Sequence, residues 1–238
     1  MTPRTATLIG LTAILMWSLL SVLTVATGKV PAFQLAAMTF AIGALVGSLT
    51  WIGRTDAIRA LRQQPTAWIV GVGGLFGYHA LYFLALRFAP GQVPGLIAAF
   101  VAAFVWAAYS VMSRKLKGVP TDAVAGFCLA TALLAAAVHG MVELTVWPDT
   151  IAQWLAIIAL GVGPVGAAFY AWDIGMKRGD IRVLGAASYA TPLLSTAFLM
   201  MAGFAKPSGA IAIAAVLIAG GGLIAAKDMV WRRSARVK

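Results

Sequence analysis

The chain has 238 residues, of which 61% are hydrophobic and 11% charged, with a formal net charge of +11. A soluble domain carries roughly 25% charged residues, so this composition excludes a water-covered globule and predicts an all-α polytopic membrane protein. Nucleic-acid binding is excluded as the reason for the positive charge, because the basic residues are dealt out to alternate loops rather than gathered on one face.

Apolar runs long enough to cross a ~30 Å hydrocarbon core predict eight transmembrane helices, at 6–27, 32–53, 67–88, 93–113, 121–142, 151–174, 182–203 and 208–227. Helices are expected because an unpaired backbone cannot face lipid. The first run has the length of a full span and no small-x-small cleavage site, so it is read as a span and not as a signal peptide. The second carries Gly43 and Gly47, a spacing that lets helices approach closely. In the loop after it, Ile58 and Leu61 alternate with Arg59 and Arg62 and suit a short helix on the membrane surface. The third run holds Gly73, Gly77, Tyr78, His79 and Tyr82. The fourth holds Trp106, Tyr109 and Ser110. The fifth contains the single cysteine, Cys128, which excludes an intrachain disulfide and a cysteine-based metal site. The acidic loop MVELTVWPDT leads into the sixth, the seventh contains Tyr189 and Pro192, and the eighth ends in the basic tail WRRSARVK.

With both termini cytoplasmic, all of the 18 Lys and Arg except Lys29, Arg87 and Lys206 fall on the inner side. The opposite orientation would invert this bias, which sets topology in a bacterial-type inner membrane. Anionic lipid is the expected partner of the tail.

Two stretches repeat. MWSLLSVLTVATGKVPAF (16–33) lies over VWAAYSVMSRKLKGVPTD (105–122), with Trp17 on Trp106, Ser21 on Ser110 and Pro31 on Pro120, at an offset of 89. GVGGLFGYHALYFLALRFAP (71–90) lies over GVGPVGAAFYAWDIGMKRGD (161–180) at an offset of 90. Three spans precede the second copy, so it enters the membrane the other way up. Inverted-topology repeats of this kind characterise secondary transporters, with the substrate site near the midplane. The first unit, 1–90, has three helices. The second, 91–238, has five and the basic tail. The arrangement is therefore 3 + 5 where the repeat predicts 5 + 5, and a helix pair is missing between Pro90 and Gly95.

The MWSLLSV helix with its VWAAYSV copy, YHALYFLALRFAP in span 3 and SYATPLLSTAFL in span 7 resemble the drug/metabolite transporter superfamily, EamA type. Within it, GYHALYFLALRFAP is most similar to the YddG-type aromatic amino-acid exporters. The resemblance implies ten helices in two inverted five-helix units, with a histidine of the third helix on the substrate path. This chain departs from it in having no counterpart of the fourth helix, with its NYLWP-like motif, or of the fifth.

His79 stands near the midpoint of its span. An ionisable group at that depth is costly and normally faces a cavity or a partner. The alternative is interhelical glue, a histidine bonded to a neighbouring helix. Tyr78 and Tyr82 share a face beside it, since residues four apart on a helix are neighbours. Trp106, Tyr109 and Ser110 make a second stripe. Trp17 and Ser21 are the repeat mates of Trp106 and Ser110, and Tyr189 lies in span 7. These eight residues, His79, Tyr78, Tyr82, Trp106, Tyr189, Trp17, Ser21 and Ser110, are the candidate substrate-binding set. Pro192 is the candidate gate or kink. Trp51, Trp68, Trp147, Trp154 and Trp231 sit near span ends, where the interfacial aromatic belt accounts for them.

No Walker loop, HExxH motif or metal-ligand cluster is present, so the sequence predicts neither an enzyme nor a cofactor nor a metal site. No acidic residue lies deep in a span, which argues against ion coupling. The expected function is export of small amphipathic metabolites, aromatic or apolar amino acids, by alternating access through a central cavity. The competing expectation is a transport-incompetent, helix-deleted scaffold completed by homodimerisation.

Overall fold

The structure, a computed structural model, describes residues 1–54, 56–86 and 93–234, with side chains as far as 224. The first half of the expected junction at Pro90–Gly95, the end of the tail and the side chain of Trp231 lie outside the described residues.

The described chain is helical. In order it forms α1 (Pro3–Ser18), α2 (Leu20–Ala26), α3 (Ala32–Leu49), a 3-10 helix (Ala57–Leu61), α4 (Pro65–Leu86), α5 (Val93–Lys115), α6 (Ala123–Val142) and α7 (Ile151–Val162). A π turn (Gly163–Ala167) then leads to α8 (Ala168–Arg178), α9 (Ile181–Ser188), α10 (Ala190–Met201) and α11 (Gly209–Ser234). Seven helical segments among the described residues are long and apolar enough to cross a membrane. The eighth expected span falls on α11, whose described apolar part, Gly209–Ile224, is shorter. The helix expected around Ile58 forms as the 3-10 turn, with Ala57 and Ala60 buried and Ile58 outward.

Several ends are set by side chains that accept from otherwise unpaired N–H groups. The Thr2 hydroxyl accepts from Thr5 N–H before α1. Thr150 and Gln153 form a reciprocal capping box before α7. The Asp180 carboxylate accepts from Arg182 N–H at 2.9 Å before α9.

Three of the spans are interrupted inside the apolar run. Between α1 and α2, Leu19 N–H turns to Met16 O, three residues back, beside a Ser18 hydroxyl that donates to Ile14 O. Such back-bonding bends helices. Between α7 and α8, Pro164 brings no N–H to the ladder, and the chain widens into the π turn. Between α9 and α10, Tyr189 N–H likewise turns to Ala186 O, three residues before Pro192.

The residues cluster into two compact units, Met1–Val25 with Ala171–Lys238, and Ala26–Tyr170. Each takes helices from both sides of residue 90. In the first, α1 lies against α9 and α10, and α11 against the same two. The backbones of α1 and α8 meet where both lack a side chain: a Cβ on Gly10 would lie 3.1 Å from Gly175 Cα, and one on Gly175 would lie 2.8 Å from Gly10 Cα. In the second unit α3 packs along α6 and α4 along α5. There α3 also meets α7 and the π turn, and α4 meets α6. Gly43 allows the π turn to close on α3, since a Cβ there would stand 3.0 Å from Val165 O. Gly73, by contrast, faces open space.

Candidate functional site

The C-terminal half of α4 carries an aromatic cluster in the unit 26–170. The His79 ring meets Phe40 edge-on at a centroid distance of 4.8 Å, Tyr78 at 5.0 Å, Phe169 at 5.7 Å and Phe83 at 5.8 Å. Only 2% of the residue is exposed. Its Nδ1 lies 2.9 Å from Leu75 O, one turn back on its own helix. A carbonyl only accepts, so Nδ1 carries the proton and Nε2 keeps the lone pair. The polar bond is thus intrahelical, and aromatic rings make the contact with neighbouring helices.

The more accessible wall stands beside it. Tyr78 stacks on Tyr82 at 5.8 Å and meets Trp106 at 5.3 Å, and Trp106 meets Tyr109 at 5.3 Å and Phe169 at 6.1 Å. Tyr78, Tyr82 and Trp106 are half-buried, whereas Tyr109 and Ser110 are buried. The result is a face of three π-systems with hydroxyl and indole N–H groups at its edge, backed by His79. Such a face suits an aromatic or apolar solute carrying polar ends.

The other unit gathers the remaining predicted residues. Trp17 meets Trp172 edge-on at 5.1 Å. The Ser195 hydroxyl donates to Ser21 at 2.9 Å, joining α10 to α2. Tyr189 is exposed at the α9–α10 interruption, with Gly222 of α11 against its Cβ, and Pro192 follows in the first turn of α10. Next to Trp172, Asp173 forms an ion pair with Lys177 at 2.7 Å, both side chains more than nine-tenths buried.

The structure therefore brings Tyr78, His79, Tyr82, Trp106 and Ser110 into one unit, and Trp17, Ser21, Tyr189 and Pro192 into the other. Sequence reasoning missed Phe40, Phe83, Phe169 and Ser195. Phe169 was findable, because it is the repeat mate of His79 at the offset of 90. Phe40 carried no signal beyond its apolar character. Trp147 and Trp154, placed at a span end, stack on each other at 6.2 Å near the start of α7.

A helical membrane protein whose spans break at mid-run and carry an aromatic face has the features of a small-molecule carrier. The comparisons place it more narrowly. The model of the EamA-like transporter family matches residues 93–226, and the chain belongs to that family. It is 45% identical to the aromatic amino acid exporter YddG of Ancylobacter novellus, over 282 residues that take in 94% of this chain and 98% of the relative. A solved structure described as a crystal structure of protein matches with a TM-score of 0.82 and 46% identity, covering 94% of this chain and 98% of its own. The alignment with the exporter is longer than the 238 residues present here, so it opens gaps in this chain.

Proposed function

We propose that the chain exports aromatic or apolar amino acids across a bacterial-type inner membrane by alternating access, with both termini cytoplasmic. The observation that carries this is the half-buried face of Tyr78, Tyr82 and Trp106 on His79, in a chain 45% identical to an aromatic amino acid exporter. A substrate ring stacks on the tyrosines and the indole. Its amino and carboxylate ends reach for the tyrosine hydroxyls and the indole N–H at the edge of that face. Export is driven by the substrate gradient. The buried Asp173–Lys177 pair is already mutually neutralised, which supports a path without ion coupling.

The two inverted copies are read as units 1–90 and 91–238, the first lacking a helix pair. Gaps in an alignment that covers 98% of the exporter support this. They also motivate the second reading, a transport-incompetent scaffold that a homodimer completes. Proteoliposomes preloaded with radiolabelled L-phenylalanine decide between them. The unmutated chain should empty them faster than protein-free vesicles do, and Trp106→Ala should slow that efflux. Efflux at the protein-free rate overturns the carrier and leaves the scaffold, whose dimer native mass spectrometry in detergent would then reveal.

A further inference from the structure

Each end of the α3–α6 pair is fastened by a polar contact. At one end the Glu143 carboxylate, which follows α6, accepts from the first-turn N–H groups of α3, from Phe33 at 3.1 Å and from Gln34 at 3.2 Å. Its side chain is 1% exposed. His139 Nδ1 lies 2.9 Å from the same carboxylate, and the Gln34 amide bonds both backbone groups of Val146 at 2.9 and 3.0 Å. At the other end Arg54, which follows α3, grips the Asp122 carboxylate before α6 with two N–H groups at 2.7 and 3.3 Å. There the side chains are 48% and 23% exposed.

These contacts are the same contact with the copies exchanged. Arg54 and Glu143 stand 89 residues apart, and so do Phe33 and Asp122. In each, the residue after one helix reaches the start of the other copy's helix. The centre behaves alike: His79 and its mate Phe169 touch each other at 5.7 Å. A residue meets its own mate only where the axis relating the copies passes. The packing of α3 on α7 is likewise matched by that of α6 on α4.

Alternating access between inverted copies exchanges their conformations, so two contacts that map onto each other and are both made at once need not change. We infer that the α3–α6 pair is the fixed pivot of the carrier, and that Arg54, Asp122 and Glu143 are positioning residues that hold it at its two poles. The poles use different chemistry. The Glu143 pole is dry, with a charge on a helix N-terminus. The Arg54 pole is wet, and the bidentate geometry offsets its solvent exposure. This inference deepens the carrier reading above and rests on it for its functional meaning.

The test places spin labels on the exposed faces of the pair, by Leu45→Cys on α3 and Leu133→Cys on α6 in a Cys128→Ala background. Leu45 is 59% and Leu133 64% exposed, and Cys128 is fully buried. The label distance should be one narrow distribution, unchanged by L-phenylalanine. A second population, or a shift of the peak on adding L-phenylalanine, overturns the pivot. Arg54→Asp should broaden the distribution, and Arg54→Asp with Asp122→Arg should restore it. No broadening, or no rescue, overturns the positioning role. In the efflux assay, Arg54→Asp should lower the maximal rate with KM unchanged, and the double swap should recover it. A changed KM at full rate overturns that role as well. If the unmutated chain carries no L-phenylalanine, the carrier reading fails, and the distance measurements still decide the pivot.

Discussion

The imidazole of His79 is enclosed by rings on its edges and faces, and its hydrogen bond to Leu75 O stays within α4. Its volume therefore matters to the fold separately from its nitrogen. His79→Ala should destabilise strongly, since removing a buried ring costs about 3–5 kcal/mol in cores studied so far. His79→Phe keeps the ring contacts and should melt close to the parent. Tryptophan-fluorescence melting in detergent checks both. The glycines separate in the same way. Gly43→Leu drives side-chain atoms into the backbone of the π turn and should cost about 1–3 kcal/mol, as overpacking does. Gly73→Ala meets open space and should be neutral or stabilising by up to about 1 kcal/mol, from helix propensity. The sequence presents Gly43/Gly47 and Gly73/Gly77 as equivalent pairs. Spacing reports that a close approach is allowed, and only the neighbouring backbone decides whether one occurs.

At the scale of the element, spans were legible, and their interruptions only where a proline marks them. A run of some 20 apolar residues reads as a helix because lipid admits little else. Hydropathy is blind to whether that helix is continuous. The Pro164 interruption announces itself through a proline between glycines. The Leu19 interruption has no such mark and depends on which carbonyl the Ser18 hydroxyl reaches. Beyond the interruptions, α2 and α10 are joined by the Ser21–Ser195 bond. Interhelical bonds in membranes average about 0.6 kcal/mol. Ser21→Ala and Ser195→Ala should each cost roughly that amount, and the double variant little more than either alone, in a double-mutant cycle on detergent unfolding. Full additivity would mean that the two hydroxyls do not couple. Pro164→Ala should let the ladder close and shift the π turn toward regular helix, with added thermal stability and slower efflux.

The whole molecule is where the sequence said most about class and least about assembly. The MWSLLSV helix with its VWAAYSV copy, YHALYFLALRFAP and SYATPLLSTAFL resemble the EamA family, and the family match bears that resemblance out. Which helices would share a compact unit could not be read, because α3 and α4 are apolar all round and carry no stripe to mark an inner face. Both termini are expected on the cytoplasmic side, so a green fluorescent protein fused after Lys238 should fluoresce, and one inserted in the acidic loop near Asp149 should stay dark. The reverse pattern would invert the topology.

The interleaving of early and late helices has a consequence for the gene. Residues 26–170 draw helices from either side of the repeat boundary, so neither half of the reading frame encodes a core that stands by itself. Two fragments split near residue 90 should be inherited as a pair or not at all. Recombination at that boundary would separate α3 from α6, the helices that fasten each other's ends. A deletion at the same place would shorten the sequence while leaving those partners in one polypeptide.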